Sequence, residues 1–181
     1  MTHTFYTVGH STRTLDEFFT LLQAGNIDHI VDVRAMPRSR SNPQFNYDTL
    51  PGKLEAVGVG YTHCAALAGL RKRSKDVGDE VNGNWRNRSF HNYADYALST
   101  PFQDGLNSLV QLSHQHTCAI MCAEAVWWRC HRRIIADHLL HHGHTVCHLM
   151  NKDQVVPAKM TDGAATREDG ALIYPSARSL K

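Results

Sequence analysis

The chain has no run of 18 apolar residues, so no membrane-spanning helix is expected. Its first ten residues, MTHTFYTVGH, lack a basic start followed by an apolar stretch. No secretory leader is expected either, and the expected location is cytoplasmic. Zinc-finger spacing is missing, because none of the five cysteines forms a C-x-x-C. In a reducing compartment an odd set of cysteines is expected to stay as thiols. The net charge is only +2 and aromatic residues make up 8%, so the overall composition does not announce a nucleic-acid binder. Internal repeats and low-complexity tracts are absent, which excludes a solenoid.

What remains is an ordinary globular composition. The 181 residues are 42% hydrophobic and 20% charged, enough for one domain with a real core. FYTVGH (5–10), IDHIVDVR (27–34), VGYTHC (59–64), TCAIMC (117–122) and HTVCHLM (144–150) read as strands. Between them, TLDEFFTLLQAG carries a capping box of Thr14 with Glu17, and an apolar stripe that Gly25 closes. Helices are expected near 48–57, at 89–98 with Ser89 as cap, from Thr100–Pro101 to about 114, and over 129–142. Residues 65–88 are polar, basic and irregular, and a loop that long is often functional or mobile. The alternation predicts an α/β three-layer sandwich. Its mostly parallel central sheet has about five strands, with helices on both faces. Residues 1–150 form the single domain. Residues 151–181, weakly patterned apart from a candidate strand at ALIYP, form a C-terminal extension packed on it or trailing it.

In such sheets ligands bind beyond the carboxyl ends of the strands. Three polar clusters fall there: GHSTR, DVRAMPRSR and CAEAVWWRCHRR. The last holds Cys122 and Glu124. A cysteine ending a buried strand ahead of a helix is placed for thiolate stabilisation by the helix N-terminus, and Glu124 could serve as acid or base. Otherwise Cys122 is a small buried hydrophobe and Glu124 neutralises an arginine. Cys130, His131 and Arg132 read as the first turn of the next helix. Neighbours there point about 100° apart, so Cys130 and His131 are not expected to pair with each other. Cys122, Cys130 and His131 together could hold a soft metal, and the arginines could salt-bridge Asp32 or Glu124. A phosphatase-like anion cradle is a poor fit, because AEAVWW between Cys122 and Arg129 has no glycine. VDVR resembles a rhodanese-like strand, but the compact cysteine loop of that family is absent.

Between residues 34 and 88, ten Lys/Arg stand against five Asp/Glu, a local net of +5. Arg34 and Arg38, at the end of the second strand, suit phosphate or carboxylate. Arg86 and Arg88 precede the helix at 89, and 71–75 reads as a solvated surface. Trp85, Tyr93, Trp127 and Trp128 could stack on a base. After the first strand, Gly9 lets backbone approach a ligand, His10 could act as a base or anion donor, and Ser11 stands beside it. HLLHHGH, at a helix end, reads as a polar face well placed in the helix dipole.

TVGHSTRTLDEFFTLL, VDVRAMPRSRSNPQFN, GYTHCAALAG, NWRNRSFHNYADY and MCAEAVWWRCHRRIIAD occur in that order, and the chain resembles the domain of unknown function 488 family over about residues 5–150. The resemblance implies a compact α/β domain and a site built from the GHS, DVR and C-x-E…C-H-R elements. It supplies no reaction, although some relatives are labelled DNA-repair-like. The leading expectation is an enzyme, a transferase or hydrolase, acting on an anionic small molecule, a nucleotide or a modified nucleobase. Cys122, Glu124 and His10 would carry the chemistry. Ser11, Asp32, Arg34, Arg38, Trp85, Arg86, Tyr93, Trp127 and Arg132 would bind the substrate. A non-catalytic nucleic-acid module is the second expectation, and a metal or redox sensor built on Cys122, Cys130 and His131 is the third. No cofactor is named by the sequence.

Overall fold

In the computed structural model, residues 1–177 are described. Five parallel strands form the sheet: β1 (Thr4–Gly9), β2 (His29–Asp32), β3 (Gly60–His63), β4 (Cys118–Cys122) and β5 (Thr145–Asn151). A sixth, β6 (Gln154–Pro157), pairs antiparallel with β5, and the order across the sheet is β3-β2-β4-β1-β5-β6. The sequence suggests about five strands. The sixth comes from the tail, and it escapes notice because an edge strand with three of its four residues exposed carries no buried stripe.

Helices α1 (Leu15–Gln23) and α2 (Leu50–Glu55) cover one face, burying Phe18, Leu21, Leu22, Leu50 and Leu54 against Val8, Ile30, Ala119 and Met121. Helices α3 (Arg88–Tyr96), α4 (Thr100–Leu112) and α5 (Arg132–His141) cover the other, burying Tyr93, Phe102, Leu106, Ile134, Ile135 and Leu139 against Phe5, Val31, Ile120 and Val146. Each such fully buried side chain contributes roughly 1.5–3 kcal/mol. This is the three-layer α/β arrangement. Among the described residues no helix is long and apolar enough to cross a membrane.

The helix starts follow local chemistry. Thr14 and Glu17 make the reciprocal capping box at α1. At α3 the cap is Asn87, whose side chain accepts from the backbone N–H groups of Ser89 and Phe90, rather than Ser89 itself. At α4 it is Ser99, one residue ahead of the Thr100–Pro101 pair. Helix α5 begins at Arg132, not at 129, because a 3-10 turn over Trp127–Arg129 and an extended Cys130 intervene.

Beyond β6, a short hairpin of β7 (Ala165–Thr166) and β8 (Leu172–Ile173) brings buried Leu172 and Tyr174 onto the α3–α5 face. The Tyr174 hydroxyl donates to Asp137 Oδ2 at 2.7 Å and its backbone N–H to Asn82 Oδ1 at 2.9 Å. The Asn82 amide in turn donates to Asp95. One chain of bonds thus ties the tail to the long loop, α3 and α5.

Candidate active site

Strands β1 and β4 are neighbours, yet the chain leaves β1 toward β2 and leaves β4 toward β5, in opposite directions across the sheet. That is a switch point, where the connections part and a crevice opens at the carboxyl ends. The backbone N–H of His10 donates to Cys122 O at 2.9 Å and that of Ser11 to Ala123 O at 3.0 Å, extending the pairing past the strand ends. A Cβ at position 9 would fall on the Glu124 carbonyl, so only glycine lets these two segments touch.

A cavity of about 470 Å³ opens beside this junction. Its walls include Arg34, Cys122, Glu124, Arg129, Cys130 and His131. Phe90 and Tyr93 from α3, with Met36 and Leu70, supply apolar surface, and Asn87 and Ser89 add polar groups. That volume lies within the range of small-molecule sites.

Arg34 is held rigidly. Its Nε donates to Asp32 Oδ1 at 2.9 Å, and its Nη2 to Asp32 Oδ2 and to the Phe45 carbonyl, both at 2.7 Å. Its Nη1 donates to His10 Nε2 at 3.1 Å. Four of the five guanidinium N–H groups are engaged, leaving at most one for a ligand. Asp32 is wholly buried and also accepts from the Tyr61 hydroxyl at 2.5 Å. The alternate residues of an extended chain face the same way, so an Asp and an Arg two apart can pair along the strand's end.

His10 completes this network as a neutral ring. Its Nδ1 lies 2.8 Å from the Ser11 carbonyl and carries the hydrogen, leaving Nε2 as the acceptor for Arg34. Burial, aided by the Arg34 charge, lowers its pKa to about 4. The ring stacks on Phe45 at 4.4 Å. His10 therefore positions Arg34, and its accepting nitrogen is occupied.

The two thiols lie together. Cys130 Sγ is 2.8 Å from Cys122 Sγ and 3.5 Å from His131 Nδ1, and the Arg132 backbone N–H points to it at 3.4 Å. His131 Nε2 donates to the Val33 carbonyl at 2.9 Å, so Nδ1 is the nitrogen free to take a thiol proton. The helical 100° argument fails here because Cys130 is extended, with φ −127° and ψ 151°, and precedes the helix. Close passage of the Gly69 backbone over the imidazole completes the arrangement, since a Cβ there would press on its Nδ1.

Electrostatics separate the two sulfurs. Burial pushes the Cys122 thiol well up, and its hydrogen bond to Cys130 adds to this. Burial opposes ionisation of Cys130 as well. Hydrogen bonds from Cys122 and His131, with the charges of His131 and Arg132, outweigh it and hold Cys130 well below the ordinary thiol value. Of the two sulfurs, Cys130 at the N-terminus of α5 is therefore the one whose surroundings favour ionisation.

The remaining expected site residues divide. Glu124 is exposed at the cavity wall; its Oε1 accepts from the Val126 N–H at 3.4 Å and its carbonyl oxygen from Arg132 Nη2 at 2.7 Å. Arg132, 1% exposed, also donates to Thr7 Oγ1 and is not among the residues lining the cavity. Trp127 stacks flat on His148 at 4.5 Å. Trp85 packs on Phe90 and Tyr174 with Arg133 over its ring, and Arg86 is exposed outside the cavity. Tyr93 lines the cavity but its hydroxyl is bound to the Leu67 carbonyl at 2.7 Å. Ser11, with φ 49°, shapes the turn after β1. Arg38 lies in an adjoining cavity of about 450 Å³ with Tyr47, Tyr61 and His63, which shares Ala35 and Met36 with the first. Among the described residues no group of three or more His, Cys, Asp or Glu is arranged to hold a metal.

Residues that sequence reasoning passed over include Phe45 and Tyr61, which fix the arginine and its aspartate, and Asn87, Ser89 and Phe90. Only the RSRSNPQF context hinted at the first. The α3 residues carry no local signal, because their place depends on how a 24-residue loop crosses the sheet edge.

Fold and site together define an α/β protein with a thiol and arginine pocket at a sheet switch point. The chain belongs to the DUF488 family: the family model described as "Domain of unknown function DUF488" matches residues 14–139. No curated protein matches the chain, and no solved structure does.

Proposed function

We propose that the protein is an enzyme that takes an anionic small molecule, such as a nucleotide or a modified nucleobase carrying phosphate, into the 470 Å³ cavity and transfers a group through Cys130. The observation that carries this reading is the thiolate-favouring environment of Cys130, with the Cys122 thiol, His131 Nδ1 and the Arg132 N–H all directed at one sulfur. A buried ionised thiol is costly without compensation, and depressed thiols in clefts mark nucleophiles. The sequence offers Cys122 as nucleophile or polar wall; in this reading Cys130 is the nucleophile, because the helix N-terminus and His131 act on it, and Cys122 is its wall-side partner.

The exposed Arg129 and the last free N–H of Arg34 attract the anion. Phe90, Leu70 and Met36 offer apolar surface to the rest of the substrate. The Cys130 sulfur attacks an electrophilic centre, and the leaving group departs with a proton from solvent at the open side of the cavity, where Glu124 stands. Water or an acceptor then displaces the sulfur. The basic loop does not favour a nucleic-acid groove. Arg71 is committed to the Ala65 and Ala68 carbonyls and the Tyr96 ring, and Arg73 to Asp79.

Iodoacetamide labelling at pH 6.5, mapped by peptide mass, tests this. Cys130 should label on the order of ten- to a hundred-fold faster than an ordinary thiol, and inorganic phosphate or a mononucleotide should slow it. Cys118, pushed up to about 12 by burial, and Cys147, raised by burial, should lag. Labelling of Cys130 no faster than half-buried Cys64 removes the proposed chemistry.

A further inference from the structure

Cys122 and Cys130 are eight residues apart, both buried and both on the cavity wall. Their sulfurs are 2.8 Å apart. A disulfide bond is about 2.05 Å, so joining them needs a sulfur movement of under about 1 Å. Catalysis by a single nucleophile does not require a second thiol in contact with it. The other three cysteines show no such pairing: Cys64 and Cys147 are half-buried, and Cys118 Sγ has only a 4.0 Å contact with the His116 carbonyl.

We propose that Cys130 and Cys122 form a reversible dithiol–disulfide couple that reduces a hydroperoxide, Cys130 as the attacking thiol and Cys122 as the resolving one. The inference rests on the preceding reading only in taking Cys130 as the reactive sulfur. In the first step the Cys130 sulfur attacks the terminal oxygen of ROOH. An S–O bond forms, the O–O bond breaks, and ROH leaves with a proton relayed from solvent or His131, giving Cys130 sulfenic acid. In the second, the Cys122 sulfur attacks Cys130 Sγ. The S–S bond forms, the S–O bond breaks, and hydroxide leaves as water with the Cys122 proton. Two thiols and one hydroperoxide become one disulfide, one alcohol and one water. An external dithiol restores the pair by exchange.

The surroundings favour each step. The Arg132 backbone N–H at 3.4 Å and the arginine charges at the cavity stabilise the sulfur anion and the developing oxyanion. The resolving thiol is already in contact, so sulfenic acid is short-lived. Oxidation also removes the nucleophile, so group transfer stops while the couple is oxidised.

The experiment begins with fully reduced protein under argon, treated with one equivalent of hydrogen peroxide. Wild type should lose about 2 Da, the two thiol hydrogens, and non-reducing peptide mapping should find Cys122 joined to Cys130. Cys122→Ser should stop at the sulfenic acid, trapped on Cys130 by dimedone. Cys130→Ser should leave Cys122 reduced at the same dose. Thermal melts check that both variants fold, and the wild-type mapping stands without them. Retention of five free thiols, or oxidation beginning at Cys64, overturns the proposal. Iodoacetamide labelling in parallel separates the two readings. Fast labelling of Cys130 with no disulfide overturns the couple and leaves the group-transfer reading standing, whereas slow labelling with no disulfide overturns both.

Discussion

Acidification should unfold this protein earlier than its size suggests, and the cause lies in three buried neutral histidines. His10 accepts from Arg34 beside Asp32. His138 is 2% exposed, lies edge-on to Phe102, and has no partner for its Nε2. His148 bonds Thr7 Oγ1 at 2.6 Å under Trp127, near the Arg132 charge. Burial lowers their pKa values to about 4, 3 and 3 respectively. In the unfolded chain each returns to about 6.5. Below that value the unfolded state binds more protons than the folded one. Their contribution is therefore fully present above pH 6.5 and is lost as pH falls from 6.5 toward 4 and 3. At pH 5 each proton withheld costs about 2 kcal/mol, and the three together about 6 kcal/mol. Net stability is typically 5–15 kcal/mol, so Tm should fall by roughly 10–25 °C between pH 7.5 and 5. Asp95 and Asp137, raised by burial, act in the opposite sense and temper the fall. Circular-dichroism melts across that range provide the measurement. His138→Leu should flatten the slope by about a third. A Tm that stays level from pH 7.5 to 5, or an unchanged slope in the variant, would refute the reasoning.

Two further substitutions probe the site's frame. Gly9→Ala forces the Glu124 carbonyl away from β1 and from Arg132; it should cost about 1–3 kcal/mol in a urea titration and slow Cys130 alkylation, and no change in either measurement would contradict the close approach. Asp32→Ala leaves the Arg34 guanidinium buried without its carboxylate and should cost about 3–5 kcal/mol. The double variant Asp32→Ala/Arg34→Met should recover much of that loss, and strict additivity of the two changes would deny the coupling.

Much of this frame is legible in the chain. Apolar runs alternating with capped amphipathic helices specify the layered sheet, and the polar clusters after three strands mark its carboxyl edge. Reading stops where geometry depends on a boundary of two or three residues. Starting α5 at 129 sends Cys130 and His131 apart, whereas starting it at 132 brings them within 3.5 Å. Trp127 and Arg132 look like substrate-facing groups in sequence; in the fold Trp127 stacks on His148 and Arg132 donates to Thr7, 125 residues back, and neither contact is legible in the chain. Edge strand β6 and the α3 side of the cavity depend on tertiary packing and leave no periodic trace.

The arrangement also explains why the polar groups are concentrated rather than scattered. In the β1–β4 crevice the sheet cannot be covered by a helix, because the connections leave in opposite directions. A cavity at that point exposes strand ends to water on one side and core on the other. Arg34, Asp32, His10 and Tyr61 satisfy one another completely enough to stand in that boundary layer. Replacing the Arg34–Asp32 pair by apolar residues of like volume is often near neutral, apart from the Phe45 carbonyl it would leave unpaired, so the ion pair is weak evidence of a purely stabilising role. The thiol pair has still less structural use, since an alanine and a serine would fill the same depth without a depressed pKa. What the network does provide is a fixed Arg34 on the same cavity wall as a sulfur with three separate contacts. A held arginine beside a thiol whose surroundings favour ionisation is the arrangement that thiol chemistry needs.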